Sequence, residues 1–589
     1  MIEGNPFGPL INPESVIFRL WAPGAQSVDL LVHDQMQKMK PSDDGWFKLG
    51  VPGAKPGDRY RFRIDGEIEV PDPASCFQPD DVQGLSEVID HAYEWQARGW
   101  YGRPWHECVF LELHVGTFTE AGTFRGVIDK LDHIAAAGIT AIELMPVADF
   151  SGRWNWGYDG VLLYAPDSAY GRPDDLKALI DAAHQRGLMV FLDVVYNHFG
   201  PEGNYLGRYA PQFFAPANTP WGNAIDYQVP EVRRFAVENA LYWLGEFRFD
   251  GLRLDAVHAI AEPGRTALLT EMSKAVGTLA AQTLRHIHLV LENDANQASL
   301  LDPVTDPPRG KYRAQWNDDY HHAFHVLLTG ETADYYRDYV DPARHIARTL
   351  AEGFAYQGEA SLHRKDEMRG EPAAALPATA FINFLQNHDQ IGNRALGQRL
   401  AALVPATALE AALTITLLAP SPPLMFMGDE WGSRQPFPFF CDFKGDLADA
   451  VRRGRQKEFA EDYARYRDGV PDPLSGKTVR LATLDWAALD KPQHRARLDL
   501  VQRLLATRQA FVIYRLPHFR PGHGRVEFTD GLLRVSWFFR NGEGLSILAN
   551  LSGSFQKRPQ TFKESEPIWG VAPPPNLPPW SVYAAIEAS

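Results

Sequence analysis

From about Trp105 onward the chain repeats one rhythm: a short apolar run of strand length, a turn, a helical stretch, then another apolar run. The candidate strands are CVFLELHVG (108–116), AIELMPV (141–147), LMVFLDVV (188–195), GLRLDAV (251–257), HLVLEN (288–293), YRAQWND (312–318), AFINFLQNHD (380–389) and PPLMFMGDE (422–430). Helical patterns such as FRGVIDKLDHIAAAG, PDDLKALIDAAHQRG, PEVRRFAVENALYWLGEF and ATALEAALTITLLA lie between them. Strands alternating with helices imply a parallel sheet. Eight such units close naturally into a (β/α)8 TIM barrel. The region spans 96–515, longer than the usual ~250 residues, so some loops are large insertions, with 196–230 the clearest.

Both flanks of this region read differently. Within 1–95, VIFRLWAP (16–23), VDLLVH (28–33), GWFKLGV (45–51) and YRFRIDG (60–66) are short alternating runs between Gly, Pro and Asp turns, the pattern of a small β-sandwich. Its tryptophans could form a sugar-binding face, although Trp in a small sandwich more often packs in the core. Over 516–589, RVEFTD, LLRVSWFFR, GLSILANLS and PWSVYAAIEA predict a small antiparallel β-domain. The fold class is therefore α/β, a barrel between two β-domains.

Composition excludes several functions. The 58 Lys+Arg against 74 Asp+Glu leave a net charge of -16, which disfavours nucleic acid and anionic membrane as partners. Three distant cysteines, Cys76, Cys108 and Cys441, without a CxxC, suggest neither a disulfide framework nor a zinc site. The start MIEGNPFGPL lacks a signal-peptide layout, and the apolar stretch 411–427 is interrupted by Pro420, Pro422 and Pro423. A cytoplasmic protein is the expectation.

In such a barrel, reactive groups sit at the C-terminal strand ends. Those ends carry Asp193, Asp255, Glu292 and Asp389, with His198 and His388 nearby. A lone Asp there usually caps the next helix. Four acids with Arg253 and two histidines at one end are not a capping pattern. Arg253 and Asp255 are two apart and share a strand face, and a guanidinium beside a carboxylate favours its ionised form. Glu292 follows apolar residues, and partial burial favours its protonated form. Two carboxylates biased in opposite directions are what retaining glycoside hydrolysis requires.

The segments DVVYNH (193–198), GLRLDAVH (251–258), LEN (291–293) and QNHDQ (386–390) resemble, in order, the four signature regions of the alpha-amylase superfamily, glycoside hydrolase family thirteen. The resemblance implies Asp255 as nucleophile, Glu292 as acid/base and Asp389 as transition-state stabiliser. It implies Arg253 as the group orienting Asp255, and His198 and His388 as ligands of sugar hydroxyls. It makes Tyr158 the aromatic platform of that subsite, places His258 on the aglycone side, and gives Asp193 a structural role. RWNWGYDGVLLYAP, QNHDQIGNRALGQRL and LMFMGDEWGSRQPFPFFCDF are similar to a subfamily that cuts the α-1,4 bond next to a terminal trehalose unit. The third region reads Glu292-Asn293-Asp294 where that subfamily has Glu-Ser-Asp.

The expected partners are maltooligosyl trehalose and α-1,4-glucan oligosaccharides. A glycogen branching transferase and a catalytically inactive glycan-binding protein are the alternatives, and the complete set Asp255, Glu292 and Asp389 speaks against the latter. For holding trehalose, WNDDYHHAFH (316–325), FAYQGEAS (354–361) and the PFPFF segment are the candidate loops, with Asp318, His321 and Tyr356 the candidate residues. Asn197 matches a family calcium ligand, but a structural Asn is the better reading; no metal or cofactor is expected.

Overall fold

A computed structural model describes residues 6–219, 222–305, 310–466, 469–521, 524–559 and 566–587. Eight parallel strands close into a barrel: Phe110–Leu113, Ala141–Leu144, Met189–Val194, Gly251–Leu254, His288–Leu291, Ala314–Trp316, Phe381–Phe384 and Pro423–Phe426. These are barrel strands one to eight, and each falls inside an apolar run read from the sequence.

Side-chain alternation splits the barrel interior into two levels. Phe110, Phe191, Val290, Ala314, Trp316, Ile382, Phe384 and Leu424 form one apolar cluster with Trp105, whose indole N–H bonds the Thr379 carbonyl at 2.7 Å. Two residues further along strands one, three and four come Glu112, Asp193 and Arg253. The strand-four Gly251 is required by this floor: a Cβ there would lie 2.2 Å from the Phe191 ring.

The outer helices form where the sequence supplies their start signals. Helix Pro173–Gln185 has Pro at its first turn, and the Asp175 carboxylate accepts from the Arg172 N–H at 3.0 Å. The stretch 196–230 holds a short helix, Leu206–Tyr209, and a hairpin of Phe214–Thr219 with Gly222–Ile225; its residues 220 and 221 lie outside the described residues. Longer elaborations follow strand six (helices Asp318–Thr329 and Pro342–Glu352, hairpin Glu359–Ser361 with Glu367–Arg369) and strand eight (helices Gly445–Glu458, Ala460–Tyr466 and Gly476–Ala482). These are largely helical, so their periodicity blends with that of ordinary barrel helices.

The N-terminal region is a two-sheet sandwich, with strand Ser15–Trp21 paired to Trp46–Pro52 and Val28–Val32 paired to Arg59–Ile64. It seats on the barrel through Phe7 against Phe235, ring centroids 5.1 Å apart, and Trp21 against Phe213 at 5.6 Å. Trp21 therefore belongs to packing, and its indole N–H bonds the Asp44 carbonyl at 2.9 Å. The C-terminal antiparallel sheet is tied to helix Pro342–Glu352 by the Trp537 indole N–H on the Leu350 carbonyl at 2.8 Å. All three cysteines are free. Among the described residues no helix is long and apolar enough to cross a membrane.

Candidate active site

Arg253 organises the top of the barrel. It is completely buried, with its guanidinium 4.2 Å over the Trp316 ring. One terminal nitrogen donates to both Asp193 oxygens at 2.7 Å and to Asp255 Oδ1 at 2.8 Å; the other donates to Glu292 Oε2 at 2.7 Å. Strands three, four and five are neighbours in the barrel, so one guanidinium reaches carboxylates from all three. Asp193 is closed off beneath the site, whereas the side chains of Asp255 and Glu292 keep 13% and 17% exposure.

The two exposed acids are held differently. Asp255 accepts at both oxygens, Oδ1 from Arg253 and Oδ2 from the Asn197 amide at 2.7 Å. Glu292 accepts at Oε2 alone, from Arg253 and from the Ala256 N–H at 2.8 Å. Ala256 follows Asp255 in the left-handed region, φ 38°, where a non-glycine residue carries strain. That turn brings its amide to Glu292. Burial drives the Glu292 carboxyl well above its usual range, Asp255, Asp389 and Asp318 add to the effect, and Arg253 opposes it. Oε1 is the Glu292 oxygen left without a donor.

Asp389 is the second residue of the short helix His388–Gly392 after strand seven. Burial acts to raise its carboxyl, but the neighbouring His388 and Arg253 outweigh this and hold it low. His388 is the counterpart: despite burial, Asp389 and Glu112 keep its imidazole protonated well above the usual histidine value. Its Nδ1 contacts Glu112, its backbone N–H donates to the same carboxylate at 3.1 Å, and its Nε2 lies 3.3 Å from Asp389 Oδ1. Tyr158 stacks on His388 at 5.0 Å and donates its hydroxyl to Asp193 at 2.7 Å. The tyrosine is delivered by a sharp turn at Gly157 (φ +107°), where a Cβ would meet the Pro146 carbonyl oxygen at 2.1 Å. His198 closes this side, with Nε2 3.0 Å from the Tyr158 carbonyl oxygen and Nδ1 against Asn197.

Beyond Glu292 the walls come from the loop after strand five and the elaboration after strand six. The Asp294 N–H donates to His258 Nδ1 at 3.3 Å, so the neutral ring of His258 carries its proton on Nε2; burial favours this neutral form. The Asp294 carboxylate pairs with Arg364 and, at 2.9 Å, with Arg369, and these arginines hold it well below the usual range against burial. Arg369 also pairs with Asp319 at 2.9 Å and donates to the Tyr339 hydroxyl at 2.8 Å. The second Asp319 oxygen accepts from Asn296, Ala355 N–H and Tyr356 N–H. Thus the hairpin 359–369 is bolted to the loop that follows Glu292.

Of the three residues expected to hold trehalose, the structure brings only Asp318 to the cleft. His321 is fully buried, with Nδ1 on the Leu385 carbonyl and Nε2 on the Tyr336 hydroxyl, so neither ring nitrogen is left for a sugar. Tyr356 is also buried, and its hydroxyl donates to the Asp338 carbonyl at 2.8 Å. For His321 the physical reason is that 318–329 is a helix rather than a loop, buried on every side from Asp319 to Val326; Tyr356 is drawn in by its own N–H on Asp319. The PFPFF segment is likewise displaced from that side: Phe437 stacks on Trp156 at 5.3 Å, and the Trp156 edge meets His388.

Asn197, expected as a structural residue, donates to both the backbone carbonyl and the carboxylate of Asp255. Three further contributors were not singled out in the sequence. Glu112 sits under His388, and the Phe110–Glu112 spacing along strand one would have pointed it inward. Trp316 underlies Arg253. Arg369 carried no sequence signal, since its partners lie in segments far away in the chain.

These features agree with comparisons to known proteins. The model of the alpha amylase catalytic domain matches residues 110–212, and that of carbohydrate-binding module 48, the isoamylase N-terminal domain, matches residues 6–75. A malto-oligosyltrehalose trehalohydrolase from Deinococcus radiodurans is 42% identical over 85% of this chain and 82% of its own length. One from Saccharolobus solfataricus is 39% identical over 82% and 84%. A 1.4 Å crystal structure of a protein provisionally described as an alpha amylase from Salmonella typhimurium superposes with a TM-score of 0.93 at 44% identity, over 98% of this chain and 99% of that one. The chain belongs to the malto-oligosyltrehalose trehalohydrolase family within the alpha-amylase superfamily.

Proposed function

We propose that this protein hydrolyses the α-1,4-glucosidic bond next to the terminal trehalose of maltooligosyl trehalose, with retention of configuration, and releases trehalose. Asp255 attacks the anomeric carbon of the glucose whose bond is cut. Glu292 gives the proton on Oε1 to the departing oxygen and then takes one from the water that cleaves the glycosyl–Asp255 ester. Asp389, kept anionic by His388, accepts hydroxyls of the same glucose and offsets the positive charge of the transition state. Tyr158 stacks on the sugar, backed by His388, while His198 fixes the Tyr158 backbone from behind. Three free cysteines and a water-soluble substrate fit a cytoplasmic setting.

The observation that carries the reading is the opposite treatment of two carboxyls by one arginine: Asp255 has both oxygens occupied as acceptors, while Glu292 has one oxygen free and its ionisation suppressed. Family membership supplies the substrate class. The test is proton NMR of maltotriosyl trehalose digests run beside maltopentaose. Trehalose as main product, with the new reducing end appearing first as the α-anomer, is expected. A β-anomer would overturn retention. New α-1,6 linkages without new reducing ends would mark a branching transferase, and equal cleavage of both substrates would reduce the activity to a general amylase.

A further inference from the structure

On the far side of Glu292, nearly every acid is already spoken for. Asp294 pairs with Arg364 and Arg369, and Asp319 is surrounded by Arg369, Tyr339, Asn296 and two backbone amides. Asp318 is the exception. It stands just past strand six, whose barrel neighbours lead to Glu292 and to the helix of Asp389, half-buried, and no hydrogen-bond donor or cation among the described residues contacts its carboxyl. A carboxyl in this position has no protein donor and keeps its oxygens open to the cleft, so a ligand can supply donors there in place of water. Burial, assisted by Asp294, Asp389 and Asp319 and opposed by Arg369, pushes it up to about 7, the behaviour of an acid that lacks donors.

We propose that Asp318 selects the trehalose end of the substrate, its carboxylate accepting hydrogen bonds from two adjacent hydroxyls of the terminal glucose. This rests on the activity proposed above and names the group that gives it selectivity. The chemistry of the two chain ends explains why a carboxylate would discriminate. In trehalose the last glucose is joined through its anomeric carbon, so its 3- and 4-hydroxyls are both free. In a plain α-1,4 chain the glucose in that place is joined through O4, and the pair is broken. A carboxylate accepts two such O–H donors at once, whereas a neutral amide offers one oxygen and two N–H groups that need acceptors.

The test compares kcat/KM for maltotriosyl trehalose and maltopentaose, which are equal in length, in wild type, Asp318→Asn and Asp318→Ser. Both variants remove a side chain that bonds nothing in the protein, and circular dichroism checks that they fold. The expected result is a fall in the trehalose-to-plain preference of roughly 10–100-fold, the worth of hydrogen bonds to a charged acceptor. Equal losses on the two substrates, or none on either, would overturn the inference. A wild-type enzyme that shows no preference would overturn the proposed function instead.

Discussion

Two buried arginines stand on opposite sides of Glu292 and do different work. Arg253 projects from a barrel strand and contacts acids from its own strand and both neighbours, leaving Asp255 and Glu292 open to the cleft. Arg369 projects from a hairpin inserted after strand six, and it pairs with Asp294, on the loop after strand five, and with Asp319, in the helix after strand six. The first network ends in groups available to a substrate; in the second, Asp319 is sealed and Asp294 is neutralised by two arginines. Similar residue types thus build reactivity where barrel geometry leaves a carboxyl unsaturated, and rigidity where a loop saturates it.

The largest effects are expected from removing the two carboxyls that Arg253 leaves open to the cleft. Asp255→Asn is near-isosteric and is expected to keep the fold while kcat falls on the order of 10⁴–10⁶-fold, as when a covalent nucleophile is removed. Glu292→Gln should lose roughly 10²–10⁴-fold, with partial rescue on substrates whose leaving group needs no proton. Steady-state kinetics with natural and activated substrates checks both, and ordinary turnover in either variant would exclude that carboxyl from the chemistry.

The second network predicts a loss of stability. Arg369→Met strands Asp319 in the core without its cation, so a cost of about 3–5 kcal/mol is expected. Urea unfolding followed by tryptophan fluorescence reads it, and an unchanged midpoint would remove the bolt from the account.

A milder effect separates the networks by pH. Glu143, on strand two, is buried with both oxygens unbonded, and burial together with Glu112 and Asp193 raises its carboxyl well above its ordinary 4.5. A raised acid stabilises the fold fully below its unfolded value, and that contribution is lost as pH rises towards the folded one. Glu143→Gln lacks this loss, so its stability relative to wild type should improve between pH 5 and pH 8. A difference independent of pH would show that Glu143 is not held neutral.

The smallest effect is expected at Arg364. It is partly exposed and duplicates the Arg369 contact to Asp294, so Arg364→Ala should cost less than about 1 kcal/mol. A loss as large as that of Arg369→Met would make the hairpin tip, not its base, the true anchor.

Elements that depend on local periodicity can be read along the chain alone. The eight barrel strands, the sandwich strands and the C-terminal sheet were legible because apolar alternation and turn residues are local signals. Asp255 and Glu292 were legible as acids just past strand ends, which barrel topology carries to one face, whereas Asp389 lies in the helix after strand seven and was legible only through the QNHDQ motif. Tertiary structure alone decided what depends on which distant segments meet. WNDDYHHAFH has the polar composition of a loop, yet it became a helix because Tyr320, Phe324 and their neighbours found a core to bury in. That rotation sent His321 inward and left Asp318 facing the cleft, although the two lie only one helical turn apart. The same holds for Asn197 on Asp255, Glu112 under His388 and Arg369 on Asp294: each is a contact between remote parts of the chain. A hydrogen bond is satisfied by whatever donor the fold delivers, and no spacing along the chain encodes that delivery.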